Sequence, residues 1–492
     1  MKLWEKLIND DLNTVAEGVK EFVSRVVDRP KKAYARTADR YYEIDHDILN
    51  KRIFYMDAHG QLVEDTLAAN NQIPHGFFTE QIDQKVQYLL SKGIQFKTEN
   101  QKLEERLEDY IDEDFQLFAN EIVEGASKRG AEYAYARTDA NDRLRFQTSN
   151  LLTTDTVLND DFEEVAVIRR YTDVVWKDDK ETTVTYAEVY TDENVSFFVS
   201  EDNKPFEPDY TVEINPRPHV VGVTDDGETI SRNYGRIPFY RLSNNRNETS
   251  DLKPIKALID DYDMMSSFLS NNLQDYDKPI YVVTGFKGEN IKELRERIKT
   301  NGAVSLGAPN GGGSLDLKTY NIPYEARKAK MELDKENIYK FGMGFDSSQS
   351  GGSNITNVEI KSRYSLLDLK CNKIEPRLRG LLKWCLELIL QDIQRVHNET
   401  YDINEVEIII ERNTIFNDTD TANRENIQAQ TEQVRLQSLL LIAPRIGDIA
   451  TLEKICEELE LDFDEVLKAL QEADLGLDVG VDYDEEAQQM AD

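Results

Sequence analysis

The stretch that organises this chain is PIKALIDDYDMMSSFLSNNLQDY, residues 254–276. Its apolar side chains recur every three or four residues, which is the period of one face of an α-helix. We therefore predict a long amphipathic helix here. Its apolar face can pack within one subunit or against a neighbouring copy, and the sequence leaves both possibilities open. The residues of this face are Ile255, Leu258, Ile259, Tyr262, Met265, Leu269 and Leu273.

A small insert follows this helix, and a second helix comes after the insert. The insert occupies residues 277–323, and apolar positions predict the second helix over 324–341. The insert is therefore bracketed by two helices. The elements predicted inside it are strands over 280–284, 304–306 and 315–320 and a charged helix over 290–300.

Glycine and serine dominate residues 342–354, which predicts a flexible loop without a core of its own. A long helix is predicted over 355–397, with a kink near residues 372–376 because Pro376 cannot donate a backbone hydrogen bond. An alternating strand is predicted over 406–411, and the remainder of the chain is predicted to be helical and is strongly acidic.

The first half of the chain changes from helix to strand. Helical spacing predicts a helix over residues 1–30, ended by Pro30, and further helices over 77–90 and 103–127. β-Branched and aromatic residues are frequent over 130–245, which predicts a β-rich region. The whole chain is therefore predicted to be α+β and mainly helical.

The charge of the chain excludes several classes of protein. It has 59 Lys and Arg against 94 Asp and Glu over 492 residues, a net charge of −35. Tight binding to nucleic acid or to an anionic membrane needs a clustered basic surface, so neither is expected. The longest apolar run, residues 439–443, is far too short to span a bilayer. The three cysteines show no disulfide or zinc spacing.

A search for catalytic motifs finds none. No phosphate-binding loop, no paired-histidine metal motif and no nucleophile elbow is present. The triplets Glu359-Ile360-Lys361 and Asp368-Leu369-Lys370 resemble the acid-x-Lys pattern of metal-dependent nucleases. Side chains two residues apart on a helix do not face each other, so we interpret both triplets as solvated helix faces. Neither a catalytic residue, a metal site nor a cofactor is predicted.

Two basic clusters remain as candidate binding sites. The first lies in the insert, where acidic residues are interleaved with it, so an ion-paired surface helix is about as good an interpretation as a functional patch. The second, weaker cluster lies on the following helix. The first comprises Lys287, Lys292, Arg295, Arg297 and Lys299, and the second comprises Lys328, Lys330, Lys335 and Lys340.

Several short motifs occur in an order that resembles one known family. They are Arg40-Tyr41-Tyr42 with His46-Asp47-Ile48-Leu49, Ile73-Pro74 before Asp83-Gln84-Lys85-Val86, Gly235-Arg236-Ile237-Pro238-Phe239, Leu258-Ile259-Asp260-Asp261-Tyr262-Asp263, and Arg363-Tyr364-Ser365-Leu366-Leu367-Asp368-Leu369-Lys370. Together with the two helices that bracket an insert, these motifs resemble the portal proteins of tailed, siphophage-type bacteriophages. The resemblance covers about residues 35–400.

The resemblance implies a portal fold, in which each subunit contributes a wing, a stem, a clip and a crown to a ring around a central channel. It also implies boundaries for these parts. They are 1–253 for the wing, 254–276 for the first stem helix, 277–323 for the clip, 324–342 for the second stem helix, 343–356 for the tunnel loop, 357–415 for a return to the wing through a long kinked helix and a strand, and 416–492 for the crown and acidic tail.

The resemblance further implies a homo-oligomer, usually a dodecamer, located in the virion at one capsid vertex and assembled in the cytoplasm of the host bacterium. Double-stranded DNA would pass through the channel with weak, sequence-independent contacts. Terminase, a head–tail adaptor, and the major capsid and scaffolding proteins would be partners, and no membrane is involved. The insert cluster would dock partners, and the stem lysines would face the channel. The tunnel-loop residues expected to meet DNA are Asp346, Ser347, Ser348, Gln349 and Ser350.

Two other classes of function are weighed against the portal. An enzyme that processes nucleic acid, such as a nuclease or a packaging subunit, would need a catalytic motif that the sequence does not display. An acidic scaffold or adaptor would bind partners without forming a central channel.

Overall fold

The structure is a computed structural model, and the chain divides in it into two units. The first comprises Met1–Ser350 with Arg363–Thr414, and the second comprises Gly351–Ser362 with Ile415–Asp492. The residues that the structure describes are 1–26, 29–57, 59–66, 68–139, 142–177, 180–202, 204–223, 229–276, 280–284, 314–318, 323–346, 357–412 and short runs between 431 and 468.

Helices make up much of the first unit, as predicted. The helices described are α1 (Leu3–Leu7), α2 (Leu12–Val26), α3 (Pro30–Tyr42), α4 (Phe77–Leu90), α5 (Gln101–Glu108), α6 (Glu113–Arg129), α7 (Lys256–Tyr276), α8 (Tyr324–Gly342), α9 (Asn357–His397) and, in the second unit, α10 (Asp448–Glu458). The α+β prediction is confirmed, and short 3-10 turns lie at Asp47–Asn50 and Ile403–Glu405.

The strands pair antiparallel in small sheets. They are β1 (Phe54–Met56), β2 (Leu62–Glu64), β3 (Ile94–Lys97), β4 (Ala131–Thr138), β5 (Leu144–Ser149), β6 (Thr154–Leu158), β7 (Glu164–Lys177), β8 (Lys180–Tyr190), β9 (Val195–Glu201), β10 (Glu207–Pro208), β11 (Val220–Val223), β12 (Thr229–Arg232), β13 (Phe239–Ser243), β14 (Ile280–Thr284), β15 (Ser314–Lys318) and β16 (Glu407–Ile410). The larger sheets have the orders β10-β9-β8-β7-β6 and β13-β4-β5.

The helix–insert–helix arrangement is present where it was predicted. Helices α7 and α8 bracket the insert and pack against each other. In the insert, β14 pairs with β15, with Ile280 opposite Lys318 and Thr284 opposite Ser314. The strand predicted over 304–306 and the helix predicted over 290–300 lie outside the described residues.

The N-terminal prediction of one helix ended by Pro30 is wrong. The chain breaks after α1, because Asp11 accepts hydrogen bonds from the backbone and hydroxyl of Thr14 at 3.2 and 2.7 Å and so starts a new helix at Leu12. Pro30 begins α3 instead of ending α2. Proline suits the first turn of a helix, where the missing N–H would have no intrahelical partner.

The helix predicted over 103–127 is divided in two. Asp112 accepts a hydrogen bond from the backbone N–H of Phe115 at 3.0 Å, which caps a new helix, α6, rather than continuing α5. Gly130 ends α6 with a left-handed φ of 98°, a conformation that glycine adopts without steric penalty.

Three clusters of buried apolar side chains hold the first unit together. The largest joins α4, α6 and α9, with Phe78, Ile122 and Leu382 fully buried in it. A second packs α1 and α2 against the five-stranded sheet, with Val19 and Phe198 both buried in it. A third, smaller cluster involves the three-stranded and five-stranded sheets. The predicted wing therefore contains more than one core.

Helix α9 is long, and Pro376 lies inside it. The predicted kink stays a prediction. At Gly380 an added Cβ would lie 2.8 Å from the hydroxyl oxygen of Tyr240, so glycine permits the close approach of β13 to this helix.

Candidate functional site

The candidate site is the point where α8 ends and the glycine- and serine-rich segment begins. Helix α8 stops because Met343 adopts a left-handed φ of 54°, and the N–H of Gly344 donates to the carbonyl of Tyr339 at 3.0 Å. Residues 343–346 are described here, and we call them the loop root.

Helix α4 holds the loop root and the last turn of α8 with two glutamines. The amide of Gln84 donates to the carbonyl of Phe345 at 2.7 Å and accepts from its N–H at 2.9 Å. One side chain therefore satisfies both backbone groups of Phe345, as a paired strand would. Gln81, fully buried, donates to the carbonyl of Ile338 at 3.1 Å.

Glycines make this contact possible. A Cβ at Gly342 would overlap the amide oxygen of Gln81, and one at Gly344 would lie 2.8 Å from Cγ of Gln81. The end of α8 and the loop root therefore approach α4 more closely than any larger residue would allow.

A buried charge cluster lies beside the loop root. Lys370 on α9 donates to the carbonyl of Gly342 at 2.9 Å, and its ammonium lies 3.3 Å from Asp251. Lys85 on α4 donates to Asn244 at 2.6 Å and to Asp251 at 3.0 Å. Two ammonium groups thus share one carboxylate.

Burial and the neighbouring charges shift the pKa of Asp251 in opposite directions. Burial alone would raise the pKa of Asp251, but Lys370 and Lys85 outweigh it and lower that pKa to about 2. Burial also lowers the pKa of Lys370, because the charged form loses its hydration. The negative charge of Asp251 therefore offsets the loss of hydration of the two buried lysines.

The interpretation of Asp368-Leu369-Lys370 as a solvated helix face is wrong for two of its members. Lys370 is buried, and Asp368 accepts hydrogen bonds from Tyr88 and Arg412, both at 2.8 Å. The helix buries positions 370, 371, 374 and 378, which the spacing of charged residues did not reveal.

Aromatic stacking adds a second attachment of the loop root. The ring of Phe345 stacks on Tyr364 with centroids 4.9 Å apart, and Tyr364 stacks on Tyr88 at 5.5 Å. Offset aromatic pairs of this kind contribute about 0.5–1.5 kcal/mol beyond their buried area. The loop root is therefore held by α4 and α9 together.

Only the first of the predicted tunnel-loop contacts is described. Asp346 lies 3.2 Å from the ammonium of Lys335, and its side chain is 9% exposed. Its carboxylate is thus engaged within the subunit. Ser347, Ser348, Gln349 and Ser350 lie outside the described residues.

The four predicted stem lysines differ in their surroundings. Lys330 lies 2.5 Å from Asp261 on α7 and also binds the buried Asp334. Lys335 pairs with Asp346 in the loop root. Lys328 is exposed, and its ammonium lies 4.0 Å from Glu332, which is a long distance for an ion pair. Lys340 is exposed next to Phe341. The insert cluster, Lys287 to Lys299, lies outside the described residues.

Only part of the apolar face predicted over residues 255–273 packs within the subunit. Ile255 and Ile259 are fully buried in the subunit's own core. Leu273, near the other end of the helix, is 53% exposed. Packing within the subunit therefore explains the apolar residues at the start of the helix, but not Leu273.

Helix α7 is fixed to the N-terminal region by histidines that sequence reasoning did not bring together. His46 and His75 donate from Nδ1 to the two oxygens of the buried Asp263, at 2.6 and 2.8 Å. The two histidines are 29 residues apart, and no motif contains both of them. Across the residues described, no group of three or more His, Cys, Asp or Glu is arranged to hold a metal ion, and no described helix is long and apolar enough to cross a membrane.

Comparison with known proteins gives a consistent result. The family model for "Phage portal protein, SPP1 Gp6-like" matches residues 28–464. The portal protein of Bacillus phage SPP1 is 29% identical over 384 residues, covering 77% of this chain and 74% of the relative. The portal protein of Clostridium phage phiCD119 is 26% identical over 442 residues, covering 85% and 90%.

A solved structure, "Neck of native GTA particle computed with C12 symmetry", contains a chain that aligns with a TM-score of 0.39 at 12% identity, covering 72% of this chain and 86% of that one. The family match alone spans most of the sequence, from the end of α2 to beyond α10. The chain belongs to the phage portal protein family.

Proposed function

We propose that copies of this chain form a ring, expected to be a dodecamer, at one vertex of the capsid, and that double-stranded DNA passes through its centre during packaging and ejection. The observation that carries this proposal is the family match over residues 28–464. It spans the chain from α3 to α10, including the β-rich region and both helices around the insert, so the proposal concerns most of the chain rather than one module.

The order of elements supports the proposed division into wing, stem, clip, tunnel loop and crown. Helices α7 and α8 pack side by side and bracket the β14–β15 pair. In the proposal these two helices are the stem and the pair belongs to the clip. The loop after α8 is the tunnel loop, and α9 returns the chain to the wing core, where Leu378 and Leu382 are buried.

A loop that meets moving DNA needs a firm base. Gln84 and Tyr364 hold the loop root, and Lys370 holds the end of α8, so motion of the loop beyond Asp346 would not loosen α8. We assign the DNA contact to Ser347, Ser348, Gln349 and Ser350, which are uncharged and cannot grip phosphate strongly. Asp346 is assigned to the base of the loop.

The surroundings of the lysines suggest different roles for them. Lys328 and Lys340 are exposed and suit brief contacts with phosphate, which salt weakens. Lys330 and Lys335 join α7, α8 and the loop root through ion pairs. We therefore assign them a structural role in the stem.

The proposed partners follow from the same assignment. The clip, with Lys287, Lys292, Arg295, Arg297 and Lys299, would dock terminase during packaging and the head–tail adaptor afterwards. The wing would meet the major capsid and scaffolding proteins, with assembly in the host cytoplasm. The portal family is a structural family, and family membership does not favour the nuclease, packaging-subunit or scaffold alternatives.

The experiment that tests the proposal is a measurement of mass and shape on the purified chain. Mass photometry should find a species many times heavier than the 56.7 kDa monomer, and electron micrographs should show rings with an open centre. A chain that stays monomeric at every concentration and salt tested, with no rings in micrographs, would overturn the proposal.

A further inference from the structure

A small hairpin near the N-terminus carries large apolar side chains that are exposed to solvent. Strand β1 pairs with β2, with Tyr55 opposite Val63 and Met56 opposite Leu62. No third strand among the described residues joins this pair. The exposed fractions of its large apolar residues are 48% for Phe54, 49% for Tyr55, 69% for Met56, 67% for Leu62 and 37% for Val63.

The exposure is unusual because both faces of the hairpin are involved. Successive residues of a strand point to opposite sides, and every residue of β1 and β2 is exposed. An isolated two-stranded hairpin is marginally stable in water. A stable interface needs about 800 Å² from each partner, and the exposed apolar side chains of the hairpin can supply part of that area.

The base of the hairpin is fixed to α7, the proposed first stem helix. The ammonium of Lys51 lies 3.5 Å from the ring centroid of Phe268. After the hairpin, the N–H groups of Asn71 and Ile73 donate to Asn271 at 2.6 Å and Ser267 at 3.0 Å. The side chain of Gln72 donates to the carbonyl of Lys51 at 2.7 Å, which closes the base of the hairpin. The hairpin is therefore presented by a rigid support.

We propose that the hairpin of residues 54–64 docks on a neighbouring copy of this chain, and this inference rests on the proposed ring. A ring is closed by head-to-tail contacts, in which one surface of a copy meets a different surface of the next. A protruding apolar element fixed to the stem suits one side of such a contact. Copies with a net charge of −35 each repel one another, so apolar burial must hold them together.

The first experiment places a photo-reactive benzoylphenylalanine at position 56 of the full chain. Irradiation of assembled protein made from a mixture of isotopically heavy and light copies should give covalent heavy–light dimers. Peptide mapping should attach position 56 to a segment of the other copy outside the hairpin. The same probe at Tyr210, which is 83% exposed, is the control and should give few such dimers.

The second experiment uses the double substitution Met56→Glu with Leu62→Glu. We expect the assembled fraction to fall at least tenfold at a fixed concentration. The variant subunit should still be folded and should show a thermal unfolding transition like that of the unmodified chain. Tyr210→Glu should assemble like the unmodified chain.

The two experiments can distinguish a failure of the hairpin contact from a failure of the proposed ring. Intact rings in the double variant, together with no heavy–light dimers from position 56, would overturn the hairpin contact and leave the ring proposal standing. Dimers linked hairpin to hairpin would indicate a two-fold contact, and attachment to capsid protein alone would indicate another occupant. Either of these results would overturn the inference. An unmodified chain that never assembles would overturn the ring and the hairpin contact together.

Discussion

Asp251 is the residue on which the buried charges beside the loop root depend. Its carboxylate lies 3.0 Å from Lys85 and 3.3 Å from Lys370, whose side chains are 1% and 7% exposed. Two ammonium groups this well buried are tolerable only with a negative partner, because burial strips them of hydration. Lys370 in turn binds the carbonyl of Gly342, so the cluster is coupled to the end of α8.

The substitution Asp251→Asn keeps the shape of the side chain and removes its charge. We expect the free energy of unfolding at pH 7 to fall by about 3–5 kcal/mol, the usual effect of leaving a buried charge without its partner. Urea denaturation followed by circular dichroism would measure this change. Asp161→Asn, at an exposed position, should change stability by less than about 0.5 kcal/mol.

The pH dependence of this difference has a defined sign. The pKa of Asp251 is lowered from 3.8 to about 2 in the folded chain. Its contribution is therefore complete above pH 4 and is lost as the pH falls toward 2. The gap between the unmodified chain and Asp251→Asn should narrow across that window. A gap that stays constant from pH 7 to pH 2 would contradict the role given to this carboxylate.

At the scale of elements, the contact between α4 and α8 sets the direction in which the loop root leaves α8. Gln81 fills the space above Gly342, and Gln84 holds Phe345. The contact is close because one of its surfaces is a glycine backbone. Its geometry therefore depends on a pair of residues, Gln81 and Gly342, rather than on either alone.

The substitution Gly342→Ala should destabilise this contact. The added Cβ would overlap the amide of Gln81, and overpacking of this kind costs about 1–3 kcal/mol. Combining it with Gln81→Ala should recover part of the loss, because the overlapping atoms are gone. Thermal melting of the two single variants and the double variant would measure the coupling. Gly222→Ala, where nothing lies within 4 Å of the new Cβ, is the matched control. Additive effects of the two substitutions would show that the pair does not act together.

The sequence predicted the elements that are defined by local periodicity. The helices over 254–276 and 324–341 are found at Lys256–Tyr276 and Tyr324–Gly342, because their apolar spacing is a property of the segment itself. Strand β3 was missed. Its four residues alternate between buried and exposed positions, but the stretch is short and its partner β16 lies some 300 residues away.

The site residues were harder to predict for the same reason. Gln84 and Lys85 belong to a motif of the family resemblance and Gln81 lies just before it, but the motif does not reveal their partners, which are 159 to 261 residues distant along the chain. Lys330 and Lys335 look like free stem cations in the sequence. Their pairing with Asp261 and Asp346 exists only once α7, α8 and the loop root are folded together.

At the scale of the whole molecule, charge opposes the assembly that the proposed function requires. Twelve copies at −35 each carry −420 before counter-ions are considered. Residues 451–492 alone contain 15 acidic residues against two lysines. This charge suits a channel that must not grip DNA, but it also means that the contacts between copies must be mainly apolar.

Added salt should therefore strengthen assembly. The screening length falls from about 10 Å at 0.1 M to about 3 Å at 1 M salt, which weakens repulsion between copies more than it weakens apolar contacts. We expect the subunit concentration at half-assembly, measured by mass photometry in sodium chloride, to fall several-fold over this range. A chain that lacks residues 469–492 loses eight acidic residues and no lysine or arginine. It should assemble at lower concentration in 0.1 M salt and respond less to further salt. Assembly that weakens as salt rises would instead mean that ion pairs between copies dominate the interface, and the apolar hairpin contact would then be at most a minor part of it.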